Sequence, residues 1–163
     1  MMAKSAPSTI VLKVAGEPRF EEFPLAPITA SGVTAITPGM LVETVAGEVR
    51  PHSTQGGNAE RMFAVEGLNE DASSKTLGDI DTDYDDDNAA VKVWFPKPGD
   101  YVYALLGAGQ QVAVEGLVQS ASDGYLMPYT AGTNIPERIV GRATEAVDNS
   151  AGTSAARVRV RVI

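Results

Sequence analysis

Short apolar runs, cut at frequent intervals by glycine and proline, constrain this chain more than any other feature. The runs cover residues 9–14, 40–44, 48–50, 62–66, 91–95, 101–106, 112–114, 117–120, 125–129, 139–147 and 156–163. Between them stand Gly16 and Pro18, Pro38-Gly39, Gly47, Pro98-Gly99, Gly107 with Gly109, Gly116 and Asp123-Gly124. Pro-Gly favours a type II turn, because glycine takes the positive φ at no steric cost. Asp-Gly between strands favours a tight hairpin. This punctuation predicts many short strands and turns: an all-β fold, a single barrel-like or sandwich domain of short antiparallel strands.

Alternation is clearest at 156–163, where Arg157, Arg159 and Arg161 interleave with Val158, Val160 and Val162. Side chains of a strand point to opposite faces in turn. The three arginines therefore share one face, expected either to meet a carboxylate surface on the same oligomer or a partner, or to face solvent. Residues 139–147 form the longest strand candidate before this one, and a turn-rich connector at 148–154 suggests that the two pair antiparallel. Residues 1–14 are expected as a flexible N-terminal arm and first strand, free to extend a neighbour's sheet. Residues 15–163 are expected as the barrel-like domain, interrupted by an acidic, solvent-exposed loop at 69–90.

A length of 163 residues suits one domain with its own core. Aromatic residues make up only 6%, so that core rests mainly on Val, Leu, Ile and Ala. The absence of cysteine excludes disulfides, thiolate nucleophiles and thiolate metal sites. The net charge of −8 argues against general binding to nucleic acid. Residues 1–9 lack the apolar core of a secretion signal, and no stretch reaches the 18 apolar residues of a membrane span. Neither a membrane nor a nucleic acid is expected as a partner.

Candidate chemistry fails on spacing. Asp79, Asp81, Asp83, Asp85 and Asp87 fall on alternate positions of a twelve-residue calcium loop. Tyr84 stands where that loop needs glycine, and Ala90 where it needs a bidentate glutamate. An EF-hand is excluded, which leaves a solvated acidic loop or a loose divalent-cation site. The one histidine, His52, lies in a polar stretch and reads as exposed and inert. No serine sits in a nucleophile-elbow pattern, and Gly107-Ala108-Gly109-Gln110 lacks the Lys-Ser/Thr of a phosphate loop. No catalytic, cofactor or metal residue is assigned, and the chain is not expected to be an enzyme. Trp94, Tyr101, Tyr103, Tyr125 and Tyr129 either pack in the core or line a ligand surface.

A resemblance emerges from these pieces in order. Phe63-Ala64-Val65-Glu66, Ile80-Asp81-Thr82-Asp83-Tyr84 and the stretch from Pro98-Gly99-Asp100-Tyr101 to Leu106 carry it first. Gly109-Gln110-Gln111-Val112 to Val118, Asp123-Gly124, Ile139 to Asp148 and Arg157 to Val162 complete it. Spanning roughly residues 36–163, the chain resembles the head decoration (capsid cement) proteins of tailed bacteriophages. It departs from that pattern at Asp85-Asp86-Asp87-Asn88, where small residues and glycine would be expected. The resemblance implies a non-enzymatic structural virion protein, made in the host cytoplasm. It would bind the outer surface of the assembled head and stabilise contacts between major capsid subunits. It further implies a homo-oligomer, trimers being common among such proteins. The alternative is a carbohydrate-binding β-module on a virion or cell surface, using aromatics such as Trp94 or Tyr129.

Overall fold

A computed structural model describes residues 6–27, 35–69, 76–77, 79–84, 90–134 and 136–163. The first half of the chain supplies β1 (Val11–Lys13), β2 (Phe20–Phe23), β3 (Val42–Val45), β4 (Glu48–Pro51), β5 (Phe63–Ala64), β6 (Leu68–Asn69), β7 (Thr76–Leu77) and β8 (Val91–Trp94). The second half supplies β9 (Tyr101–Leu106), β10 (Gln111–Val112), β11 (Leu117–Ser122), β12 (Tyr125–Pro128), β13 (Gly141–Ala143), β14 (Val147–Asp148) and β15 (Ala156–Val162). A 3₁₀ turn at Pro136–Arg138 is the only helical element among the described residues. The fold is all-β, as the punctuation predicts.

The second-half strands close on themselves. β9, β12, β11, β13 and β15 neighbour one another in that order, and β15 returns to pair with β9. The closing ladder is the longest, running from Ala156 opposite Leu106 to Arg161 opposite Tyr101. The other edge of β9 is shared. Its start pairs with β1, through Val11 opposite Val102, and its end with β12, through Leu126 opposite Leu106. The β9–β12 pair is parallel, a departure from the all-antiparallel expectation. Closure removes exposed edges that would otherwise template aggregation.

Alternation decides what fills the ring. Val102, Ala104 and Leu106 of β9 and Val158, Val160 and Val162 of β15 are fully buried in one core cluster. At Gly141 a Cβ would lie 2.5 Å from Val160 Cγ1 and 2.6 Å from the Arg161 carbonyl. Only glycine lets β13 approach β15 so closely.

A three-stranded sheet, ordered β2-β8-β5, lies against the barrel. β5 and β8 bury residues on both faces, Lys92 alone remaining half-buried. Phe63, Val65 and Trp94 join the barrel core, while Ala64, Val91 and Val93 join a second cluster with Met40, Val42, Val49 and Leu105. Complete burial of an aromatic such as Phe63 contributes roughly 1.5–3 kcal/mol. Tight hairpins form where expected. Ala46 and Gly47 have φ 54° and 86° between β3 and β4, and Asp123 and Gly124 have φ 52° and 78° between β11 and β12.

Other expectations need correction. The single strand expected at 139–147 is two, β13 and β14, and β14 pairs with β10 rather than β15. The break falls where the Glu145 side chain accepts the backbone N–H of Arg159 at 3.0 Å, so a carboxylate replaces a ladder carbonyl. The stretch expected as a solvent-exposed loop at 69–90 is only partly so. Ile80 and Tyr84 are buried, Tyr84 bridges to Ile36, and β6 pairs with β7. Residues 70–75, 78 and 85–89 lie outside the described residues, as do residues 1–5 of the expected arm. The rest of the first segment belongs to this chain's own sheet. Ile10 has no exposed surface, and its carbonyl accepts the Tyr103 N–H at 2.8 Å.

Candidate functional site

The outer face of the barrel around β15 carries Lys13, Arg142, Arg157, Arg159 and Arg161. The valines of β15 fill the core, which turns Arg157, Arg159 and Arg161 outward as alternation requires. Each meets a carboxylate of its own chain. Arg157 is the most enclosed, its side chain 14% exposed and its guanidinium over the Tyr103 ring. It donates to the carbonyls of Pro38 at 2.5 Å and Ile80 at 2.6 Å, and to Asp81 Oδ1 at 3.0 Å. Arg159 lies 3.8 Å from Glu145 Oε2. Arg161 and Arg142, facing each other across β15 and β13, share Glu115 Oε2 at 3.7 and 3.5 Å. Exposed pairs of this kind contribute about 0–1 kcal/mol each.

An open groove of about 510 Å³ lies in the middle of this face. Pro7, Leu12 and Lys13 of the N-terminal segment form one wall, with Tyr101 of β9 beside them. Thr144, Glu145 and Arg159 form the other. Lys13 Nζ sits 5.5 Å from the Tyr101 ring centroid, a cation–π contact. The groove therefore offers an aromatic ring, two cations and one carboxylate. Sequence reasoning missed Lys13 and Glu145. Lys13 shares a strand face with Val11, so it could have been placed on a sheet, but its neighbour Arg159 is 146 positions away in the chain.

Two buried carboxylates fasten the N-terminal segment at the groove. Glu66 accepts the Ile10 N–H at 3.1 Å and the Thr9 hydroxyl. Asp100 accepts the N–H groups of Ala15 at 2.7 Å and Lys97 at 2.8 Å. Both are short of exposed surface, at 7% and 2%.

His52, read as exposed, is 2% exposed. Its Nδ1 lies 2.7 Å from Ser120 Oγ, and its Nε2 lies 3.3 Å from the Asn58 carbonyl and 3.8 Å from Glu43 Oε2. A carbonyl only accepts, so Nε2 carries a proton. The polar composition of 52–58 hid this burial, because its hydrogen bonds are satisfied inside the fold. Ser120 has no exposed surface, and the pair ties the 52–58 loop to β11. Burial pushes the Glu43 carboxyl up, but hydrogen bonds from Ser53 and Arg50 and the charges of His52 and Arg50 outweigh it and hold it below the usual carboxylate range.

The described aspartates of the acidic run, Asp79, Asp81 and Asp83, do not converge. Asp79 Oδ1 accepts the Asp81 N–H at 3.0 Å, Asp81 meets Arg157, and Asp83 accepts the Thr37 hydroxyl at 2.6 Å. Asp85 and Asp87 lie outside the described residues. Among the described residues no three His, Cys, Asp or Glu side chains are placed to hold a metal ion. Trp94 has no exposed surface, so it offers no ring to a ligand, while Tyr129 is half-buried with its hydroxyl 3.3 Å from the Asn134 carbonyl. Among the described residues no helix is long and apolar enough to cross a membrane. No protein-family model matches the chain, and no curated protein does either.

Proposed function

We propose that this chain is a structural, non-enzymatic virion protein that binds the outer surface of an assembled bacteriophage head and stabilises contacts between major capsid subunits. One observation carries the reading. The later segments on which the resemblance to decoration proteins rests coincide with the strands of the closed ring: β9 after its Pro98-Gly99 turn, β11 and β12 around Asp123-Gly124, β13, and β15. A chain whose likeness lies in its framework, and whose polar clusters tie its own loops together, suits a role of contact. Its partners in this reading are the major capsid protein and other copies of itself.

The carbohydrate-binding alternative loses Trp94 to the core. Incubating the protein with heads assembled without it, and separately with a glycan array, separates the two. Saturable co-sedimentation with heads supports the reading. Glycan binding without head binding overturns it.

A further inference from the structure

Gln119 of β11 is 1% exposed, and neither its Oε1 nor its Nε2 has a hydrogen-bond partner among the described residues. Val118 beside it fills the barrel core, so alternation turns Gln119 to the opposite face. There the segment 54–57 covers it: a Cβ at Gly56 would stand 3.5 Å from both polar atoms of the carboxamide. An amide shut away from water without partners destabilises the arrangement that encloses it. The cover itself is lightly held. Thr54, Gln55, Gly56 and Gly57 bring no large apolar side chain. The Gly57 N–H donates to the Thr54 carbonyl at 2.9 Å, so the four residues make one turn. Among the described residues, three hydrogen bonds tie that turn down. The Gly56 N–H donates to the Ser120 carbonyl at 2.8 Å, Arg138 to the Gly56 carbonyl at 2.7 Å, and Gln55 to the Met127 sulfur at 3.2 Å. The base of the turn is fastened separately. The His52 N–H donates to the Leu41 carbonyl at 3.0 Å, the His52 carbonyl accepts the Gly124 N–H at 3.2 Å, and the imidazole meets Ser120 Oγ.

We propose that the turn 54–57 is a strap that swings off the barrel while the barrel stays closed, and that the unpaired Gln119 carboxamide keeps it poised to open. Closed, the strap has its three hydrogen bonds but holds the carboxamide dry. Open, water replaces the three bonds and also reaches both atoms of the carboxamide, so the net hold is weaker than the three bonds alone would give. The imidazole Nε2 meets the Asn58 carbonyl across the base, so the turn above it moves as a unit. Opening bares the Ser120 carbonyl, the Gln119 carboxamide and the Arg138 guanidinium together. A water molecule bonded to the carboxamide in the closed state would remove the bias towards opening, and the two arrangements respond oppositely to loss of the amide. The strap does not depend on head binding, so each can fail without the other.

Native-state hydrogen exchange of the full chain, read residue by residue at rising urea below the unfolding transition, tests this. Protection at the Gly56 N–H should be at least roughly a hundredfold weaker than in the β9–β15 ladder, because a local opening suffices to expose it. Its rate should not respond to urea, since the opening exposes little new surface. The His52 N–H, at the fastened base, should behave like the ladder. Gln119→Met removes the unpaired amide at similar volume and should slow Gly56 exchange by at least roughly fivefold. Should that variant fail to fold, Gln119→Leu repeats the comparison. Arg138→Met removes a tether and should speed Gly56 exchange by at least roughly tenfold, still without a response to urea. Gly56 exchange that rises with urea alongside the ladder would overturn the proposal, as would Arg138→Met leaving it unchanged. So would Gln119→Met leaving Gly56 exchange unchanged or faster, the result expected if the carboxamide holds a water molecule beneath the strap.

Discussion

The Glu66 carboxylate accepts the backbone N–H of Ile10 at 3.1 Å across 56 positions of sequence, fastening the first strand from within a buried site. Glu66→Ala would leave that N–H without its acceptor, at a cost of about 1–3 kcal/mol. Urea denaturation should show the loss. Hydrogen exchange at Ile10 should accelerate more than exchange within β15. Glu66→Gln keeps one carbonyl acceptor and should cost less.

Arg157 joins β15 to two loops through the carbonyls of Pro38 and Ile80. Arg157→Met keeps the stem but strands both carbonyls, and should destabilise by about 1–3 kcal/mol. Arg157→Lys should recover only part of this, because an ammonium lacks the planar fork that reaches two acceptors. Arg161→Met, at an exposed pair, should cost under about 1 kcal/mol. Comparing the three melting curves checks the ranking.

The Tyr84 hydroxyl donates to the Val65 carbonyl at 2.7 Å in a buried setting. Burial, with the charges of Glu66 and Glu22, pushes it up to about 12 from 10.0, against a backbone hydrogen bond that lowers it. A raised folded value means the folded state holds the proton longer. Its contribution to stability is full below pH 10 and lost as pH rises through about 12. Ultraviolet titration should show a tyrosine ionising late, and Tyr84→Phe should remove it.

Glu43 works in the opposite direction. Its lowered value gives a contribution that is present above pH 4.5, its ordinary value, and lost as pH falls through the folded value. Glu43→Gln should flatten the acid limb of a stability-against-pH curve and leave the neutral region nearly unchanged in slope.

Gly141→Ala places a Cβ within 2.6 Å of the Arg161 backbone carbonyl, which cannot swing aside as a side chain could. The β13–β15 pair must separate, and a loss of about 1–3 kcal/mol is expected. Thermal unfolding measures it.

Much of the framework was legible in the chain. Glycine and proline fixed where strands stop, and alternation at β15 set which side chains line the core. What alternation could not report was burial of the opposite face. Trp94 and Val93 point to opposite sides of β8, yet both have no exposed surface, because the barrel covers one side and the second cluster the other. His52 was misread for a related reason: its partners Ser120 and Asn58 are polar, so local polarity looked like exposure. The groove was least legible, since Lys13, Tyr101 and Arg159 meet only once the ring has closed. The split at Glu145 was hidden because a side chain replaces a backbone group there.

Cryo-electron microscopy of heads assembled without this protein, then saturated with it, tests the central claim most directly. The account predicts ordered density for the barrel on the outer surface, bridging neighbouring capsid subunits, together with retention of packaged DNA at temperatures where bare heads lose it. Heads that stay bare at saturating protein, or bind it without gaining stability, would contradict it.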